Sequence, residues 1–253
     1  MDPRAFEGVR IIDITHVLAG PFAAYQLAVQ GADVIKVEHP DDPDQSRGSG
    51  SDRHLNDTHM GTGFLTQASN KRSITLNLAK PEGQSLLRRL VKTADVVVEN
   101  FGVGGMAKFG LDYESISKES PKIIYCSITG FGTSEAAAQL PGYDALVQGM
   151  SGLMSITGDK ESGPSKVGVA LIDVIAGLHA TTGILAALRA RDQFGVGQQV
   201  EINLLSSALS AMVNQSGAYV GAGVIPGLLG NSHPSIVPYG VFQAKDRPFI
   251  IAA

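Results

Sequence analysis

The sequence predicts an α/β protein organised on a parallel sheet, and three observations lead there. Apolar runs of strand length recur at residues 9–15 (VRIIDIT), 33–38 (DVIKVE), 95–100 (DVVVEN) and 122–132 (KIIYCSITGFG). A helix-forming stretch separates the first two, so the chain opens on a β-α-β unit, whose crossover makes its strands parallel. The later runs exit into glycine-rich loops, at the carboxyl ends where open α/β sheets gather ligands.

Taken in order, residues 9–15 read as a buried strand. The turn HVLAGP follows, and Pro21 suits the first turn of a helix running to about Val29, with Gly31 ending it. Residues 33–38 are the second strand. The turn between them lacks G-x-G-x-x-G, which excludes the usual dinucleotide fingerprint. Residues 40–62 are polar and read as an exposed loop, long enough to be functional. In residues 70–83 (NKRSITLNLAKPEG), Ile74, Leu76 and Leu78 alternate as in a strand and Pro81 opens an amphipathic helix. Lys71 and Arg72, just ahead of that alternation, are either solvated or available to phosphates. The strand at 95–100 delivers Glu99, Asn100, Phe101 and Gly102 to the ligand edge of the sheet. After the strand at 122–132, a turn at Pro141-Gly142 leads into a helix starting near Asp144. Residues 197–204 are strand-like, 205–219 an apolar-rich helix, 226–238 a loop, and 239–253 a hairpin with KDRP at its turn. The closing FIIAA would leave a bare apolar edge, so either a partner covers it or the polypeptide continues.

The 253 residues suffice for one sizeable domain or two small ones. With 43% hydrophobic and 17% charged residues, a large core is expected and global disorder does not fit. A net charge of -4 argues against nucleic acid or an anionic membrane held by bulk charge, and leaves a local phosphate site open. The single cysteine, Cys126, makes no intrachain disulfide, which fits a reducing compartment. The start, MDPRAFEGVR, has no apolar signal core, and no apolar run reads as long enough to span a bilayer. A soluble, cytoplasmic protein is the expectation. No G-x-S-x-G or Walker loop appears, and Gly149-Met150-Ser151-Gly152 misses the nucleophile spacing. The histidines show no zinc spacing near a cysteine, so no metal is expected, and His179 reads as a packed core residue.

Residues 167–188 (VGVALIDVIAGLHATTGILAAL) contain one acid, Asp173, among residues that are nearly all apolar or small. The simplest geometry is an extended run over 167–172 turning into a helix at Asp173. Ala176, Gly177 and Ala180 would let that helix pack tightly. Asp173 then has two readings: an N-cap for the helix, or a nucleophile at the bottom of a pocket, because a poorly hydrated carboxylate is reactive and forms covalent intermediates.

HVLAGP, GADVIKVE, NKRSITLNL, DVVVENF, the PGYD turn with GLMSITG, and GVALIDVIAGLHATTGILAAL, in that order, resemble the class III coenzyme A transferases, the formyl-CoA and carnitine-CoA transferase group. KIIYCSITGFG, INLLSS and SIVPY look most like the branch using succinyl-CoA and other dicarboxylates. The resemblance implies a Rossmann-like parallel-sheet large domain over 1–222, a linker and the start of a small domain over 223–253, and interlocked homodimers of a longer chain. It implies acyl-CoA and a carboxylic acid as substrates, with no permanently bound cofactor. Asp173 is then the nucleophile, passing through an aspartyl anhydride and an aspartyl-CoA thioester.

The same resemblance carries coenzyme A contacts onto Val17, Leu18, Ala19, His39, Leu76, Asn77, Leu78, Asn100, Phe101, Gly102, Lys108 and Tyr143. Leu18 stands where the formyl-CoA enzyme has glutamine, so that enzyme's substrate contact is missing. Two alternatives stand beside transfer. One is an α-methylacyl-CoA racemase, which this sequence disfavours by placing Tyr143 where racemases carry a histidine base, since tyrosine is a poor base at neutral pH. The other is a truncated, non-catalytic coenzyme A-binding protein.

Overall fold

The computed structural model describes residues 4–253. Among them are ten strands: β1 (Arg10–Ile14), β2 (Asp33–Glu38), β3 (Lys71–Thr75), β4 (Val96–Glu99), β5 (Ile124–Thr129), β6 (Gly158–Asp159), β7 (Gly163–Pro164), β8 (Gln199–Asn203), β9 (Tyr239–Gln243) and β10 (Pro248–Ala252). The helices before the middle of the chain are α1 (Ala19–Val29), α2 (Arg53–Asp57), α3 (Thr62–Ala68), α4 (Pro81–Val91), α5 (Tyr113–Glu119) and α6 (Glu135–Ala138). Those after it are α7 (Asp144–Met150), α8 (Leu153–Ile156), α9 (Leu171–Phe194), α10 (Leu204–Ala211) and α11 (Val213–Ala222). Six strands make one parallel sheet in the order β3-β2-β1-β4-β5-β8, the doubly wound arrangement expected from the opening β-α-β unit.

The strands are apolar along their length because both faces are covered. Ile11, Ile12, Val96, Val98 and Ile124 are fully buried. One face packs Ile12, Val97 and Tyr125 against Leu87 of α4 and Ile116 of α5. Each such side chain contributes roughly 1.5–3 kcal/mol of burial. The Tyr125 hydroxyl is satisfied there by donating to Leu111 O at 2.8 Å.

Small residues cover the opposite face. Ala23, Ala24 and Leu27 of α1 and Ala176, Ala180 and Ile184 of α9 are all fully buried. A Cβ on Gly183 would lie 2.7 Å from Val200 of β8, and one on Gly177 would lie 2.7 Å from Ala19 O. The tight packing expected of the 167–188 stretch is therefore present.

The chain divides into two compact units: residues 4–142 with 173–207, and residues 143–172 with 208–253. The first holds the six-stranded sheet. The second holds α7, α8, α11, the β6–β7 ribbon and the β9–β10 hairpin, whose turn closes through Ala244 N–H to Arg247 O at 3.1 Å.

Four expectations change. Residues 40–62 are not simply an exposed loop: they hold a 3-10 turn at Gln45–Gly48, the helix α2 and the start of α3, and Asp44 and Ser46 are buried. The strand at Ile74 ends at Thr75; Leu76 N–H still reaches Glu38 O at 2.9 Å, after which Asn77 Oδ1 accepts from Ala79 N–H and bends the chain toward Pro81. The helix expected over 205–219 is broken into α10 and α11, with Val213 at φ +36°. Finally, α9 is long and apolar enough to cross a bilayer by length and composition, with mean hydropathy 1.7 over its best window. Its apolarity serves packing instead: Ile172, Ala176, Ala180, Ile184 and Ala187 are at most 2% exposed.

Candidate active site

The strand order reverses between β1 and β4, so the carboxyl ends of these strands border the crevice where such sheets take ligands. Side chains hold the turn leaving β1. Thr15 N–H donates to Asp13 Oδ1 at 3.0 Å, His16 N–H to Asn100 Oδ1 at 2.9 Å, and Val17 N–H to Asp44 Oδ1 at 3.0 Å. The carbonyls of the same residues accept from Lys36 Nζ at 2.7 Å, from Asn100 Nδ2 at 2.8 Å and from Gln67 Nε2. Val17 stands at φ +72°, a region that β-branched residues rarely enter. Strain of this kind persists where surrounding bonds over-determine it, and it clusters at ligand clamps.

Buried charge braces this turn from behind. Lys36 meets Asp44 at 3.0 Å and Lys71 meets Asp13 at 2.8 Å, with all four side chains at most 3% exposed. Burial alone would raise the Asp13 carboxyl, but Lys71 and Lys36 outweigh it and hold that group well below the usual carboxylate range. Asp44 is likewise lowered against burial by Lys36 and by the N–H groups of Val17 and Ser46. Glu38 is lowered against burial by Arg47, whose guanidinium approaches at 2.6 Å. Of the two sequence readings, solvated or available to phosphates, Lys71 fits neither, whereas Arg72 is a solvated surface charge, its side chain 63% exposed. Lys71 is buried on Asp13 and Pro21 O, and Arg72 forks onto Asp33 at 2.7 Å.

Three cavities border Phe101, and the predicted contacts divide mainly between two of them. One, of about 220 Å³, is mostly apolar and is lined by His39, Leu76, Leu78 and Phe101 together with His16 and Val37. The other, also about 220 Å³, is lined by Ala19, Asn100, Phe101 and Gly102 together with Gly130 and Gly142. Those last two glycines touch: a Cβ on Gly130 would lie 2.5 Å from Gly142 Cα, so the wall needs both. The His16 ring stands edge-on to Phe101 at 5.7 Å and 85°. Burial, then the charge of Lys36, lowers the His16 pKa and favours the neutral ring.

Other predicted residues fall outside these walls. Val17 and Leu18 lie in the braced turn, and no side chain caps α1 at Leu18. The Asn77 side chain accepts from the Ala79 N–H two residues on. Lys108 is exposed in a 3-10 turn at Ala107–Phe109. Tyr143 is 62% exposed and belongs to the second unit.

Asp173 is half-buried in the first turn of α9, which begins two residues earlier, at Leu171. The N-cap reading does not fit that position. An acceptor for the helix end is instead Asp144, whose Oδ1 takes the Ile172 N–H at 2.8 Å while its Oδ2 accepts from Gln148 at 2.6 Å. Asp173 and Gly177 are four residues apart and share one face of the helix. Gly177 abuts Ala19 O, so that face turns toward the start of α1. Asp173 is not among the residues lining the two cavities.

Sequence reasoning passed over Lys36, Asp44 and Gln67. One signal was available. A lysine inside the apolar run DVIKVE is almost never fully buried without a partner, so an acid had to be found for it.

A doubly wound α/β protein with its crevice at the β1/β4 switch point is the class that these observations define. A profile of CoA-transferase family III matches residues 6–253, and the chain belongs to that family. It is 45% identical to a succinate--glutarate CoA-transferase of Agrobacterium fabrum over 97% of this chain and 62% of the relative. It is 41% identical to a mouse succinyl-CoA:glutarate CoA-transferase over 99% of this chain and 57% of the relative. The chain thus spans about 60% of the length of these curated relatives. The crystal structure of a CAIB/BAIF family protein from Brucella suis superposes with a TM-score of 0.89 at 40% identity, covering 98% of this chain and 66% of that one.

Proposed function

We propose that the chain carries the coenzyme A-binding and nucleophilic part of a CoA-transferase that moves coenzyme A from succinyl-CoA, or a similar acyl-CoA, to a carboxylic acid. Glutarate, named with two of the relatives, is a fitting acceptor. The active protein is a homodimer in the cytoplasm, with the coenzyme bound along the β1/β4 crevice and its contacts divided on either side of Phe101.

Asp173 is the nucleophile. Its carboxylate oxygen attacks the donor thioester carbonyl, the C–S bond breaks, and an aspartyl anhydride and CoA thiolate result. The thiolate attacks the aspartyl carbonyl, the anhydride C–O bond breaks, and the donor acid leaves as carboxylate. The acceptor carboxylate then attacks the aspartyl-CoA thioester, and the thiolate it expels attacks the acceptor carbonyl of the new anhydride. This frees Asp173 as carboxylate and releases the new acyl-CoA. One thioester replaces another, so no other energy source enters. The N-terminal end of α9 favours negative charge at its first turn, and exclusion of water protects the anhydride.

The observation that carries this reading is the placement of Asp173 one helical turn before Gly177, on the face that meets Ala19 at the mouth of the crevice. The test is Asp173→Ala. Transfer should fall by about 10³-fold or more while coenzyme A still binds. After incubation with succinyl-CoA and hydroxylamine, mass spectrometry should find the modification at residue 173. Near-normal turnover in the variant, or modification elsewhere, overturns the assignment.

A further inference from the structure

We propose that Gln67 is a positioning residue that holds the turn after β1 in the conformation that coenzyme A binds. The proposal rests on the reading of that turn as part of the coenzyme site.

Gln67 lies in α3 and is 2% exposed. Its Nε2 donates to Val17 O, fifty residues away in sequence. Its Oε1 is buried with no hydrogen-bond partner among the described residues. A half-satisfied buried amide lowers stability relative to an apolar side chain of the same shape. The residue is therefore a poor choice for packing alone, and its donor end is what it contributes.

That donor falls at the point of highest backbone strain in the turn. Val17 at φ +72° sends its N–H to Asp44 and its carbonyl to Gln67, so two buried side chains grip one residue on both sides. If Val17 relaxed to an ordinary φ, Leu18 and Ala19 would rotate with it, and Ala19 lines the cavity beside Asn100 and Phe101. The helix carrying Gln67 is itself fixed to the strap behind the turn. Gly61 N–H donates to Arg47 O at 2.8 Å and Gly63 N–H to Ser49 O at 2.9 Å. The 40–62 segment thus carries both grips, Asp44 and, through α3, Gln67.

The experiment compares wild type with Gln67→Met, and with Gln67→Leu should methionine disturb α3. Tm is expected to stay level or rise, because an unsatisfied acceptor is removed. Hydrogen exchange across residues 15–19 should accelerate by about tenfold, and Kd for coenzyme A, measured by calorimetry, should rise by about tenfold. A lowered Tm with exchange and Kd unchanged would mark Gln67 as merely structural and overturn the proposal. Faster exchange with unchanged Kd overturns it too, since the grip would then have no use. If wild type itself fails to bind coenzyme A, the functional reading of the site fails, while the exchange comparison still decides whether Gln67 holds the turn.

Discussion

Buried acids on the two sides of the β1/β4 crevice are handled in opposite ways. Toward β2, Asp13, Glu38 and Asp44 are each within reach of a lysine or arginine, and all sit below the usual carboxylate range despite burial. Toward β5, Glu99 is just as hidden, at 7% exposure, yet it is held by the Phe101 N–H at 2.8 Å and by the Ser127 hydroxyl. Burial dominates there and raises the Glu99 pKa. The first side is a preassembled frame in which desolvation is offset by pairing. The second keeps an acid that the fold would rather hold neutral. The contrast teaches that ion pairing is concentrated where the turn after β1 must be fixed, whereas the acid leading into the glycine loop after β4 is held by neutral donors alone.

The largest effect should come from breaking the frame. Asp13→Asn leaves Lys71, whose side chain is 2% exposed, against a neutral amide. Breaking a buried pair in this way costs about 3–5 kcal/mol, which a shifted urea midpoint would register. The pH dependence has a definite sign. Asp13, Glu38 and Asp44 have lowered folded-state pKa values, so their stabilisation is present above the unfolded values and is lost as pH falls through the folded ones. Wild type should therefore lose stability below about pH 4, and Asp13→Asn should lose less over that window. Equal acid slopes in the two proteins would mean that the frame does not act as described.

A smaller effect is expected at the hinge of the comparison, Phe101, which borders both cavities. Phe101→Ala would merge them and remove the ring that His16 packs against. Affinity for coenzyme A should weaken by about tenfold, or 1.4 kcal/mol, with a modest loss of stability because the ring is only half-buried. Unchanged affinity would show that the two halves work independently of the wedge between them.

The sheet was legible in the sequence because parallel strands, covered on both faces, leave near-continuous apolar runs such as IIDI and VVVE. The small-residue face of α9 was legible for a related reason, since Gly177 weakens a solvated helix and, beside Ala176 and Ala180, is explained by close packing. The frame was not. Asp44 sits among other acids and prolines in a polar stretch, and nothing local distinguishes it from Asp41 or Asp42, which stay exposed. Its burial depends on Lys36 in one strand and on Val17 after another, contacts that no local periodicity reports. The break between α10 and α11 was hidden for the opposite reason, because apolar residues continue through Met212 and Val213 while the backbone does not.

The smallest effect tests the other side of the crevice and runs in the opposite direction. Glu99→Gln keeps an oxygen for the Phe101 N–H and removes a charge that has no cation beside it among the contacts described. A group whose folded-state pKa is raised stabilises below its unfolded value, and that stabilisation is lost as pH rises through the folded value. At neutral pH wild type therefore bears the cost of ionising or protonating this buried acid, and the glutamine variant does not. The variant should be more stable at pH 7, with the difference shrinking toward pH 4.5, the ordinary glutamate value. Urea midpoints at the two pH values measure it. A destabilised variant at pH 7 would mean that the Glu99 carboxylate is as well compensated as Asp44, and the contrast between the two sides would disappear.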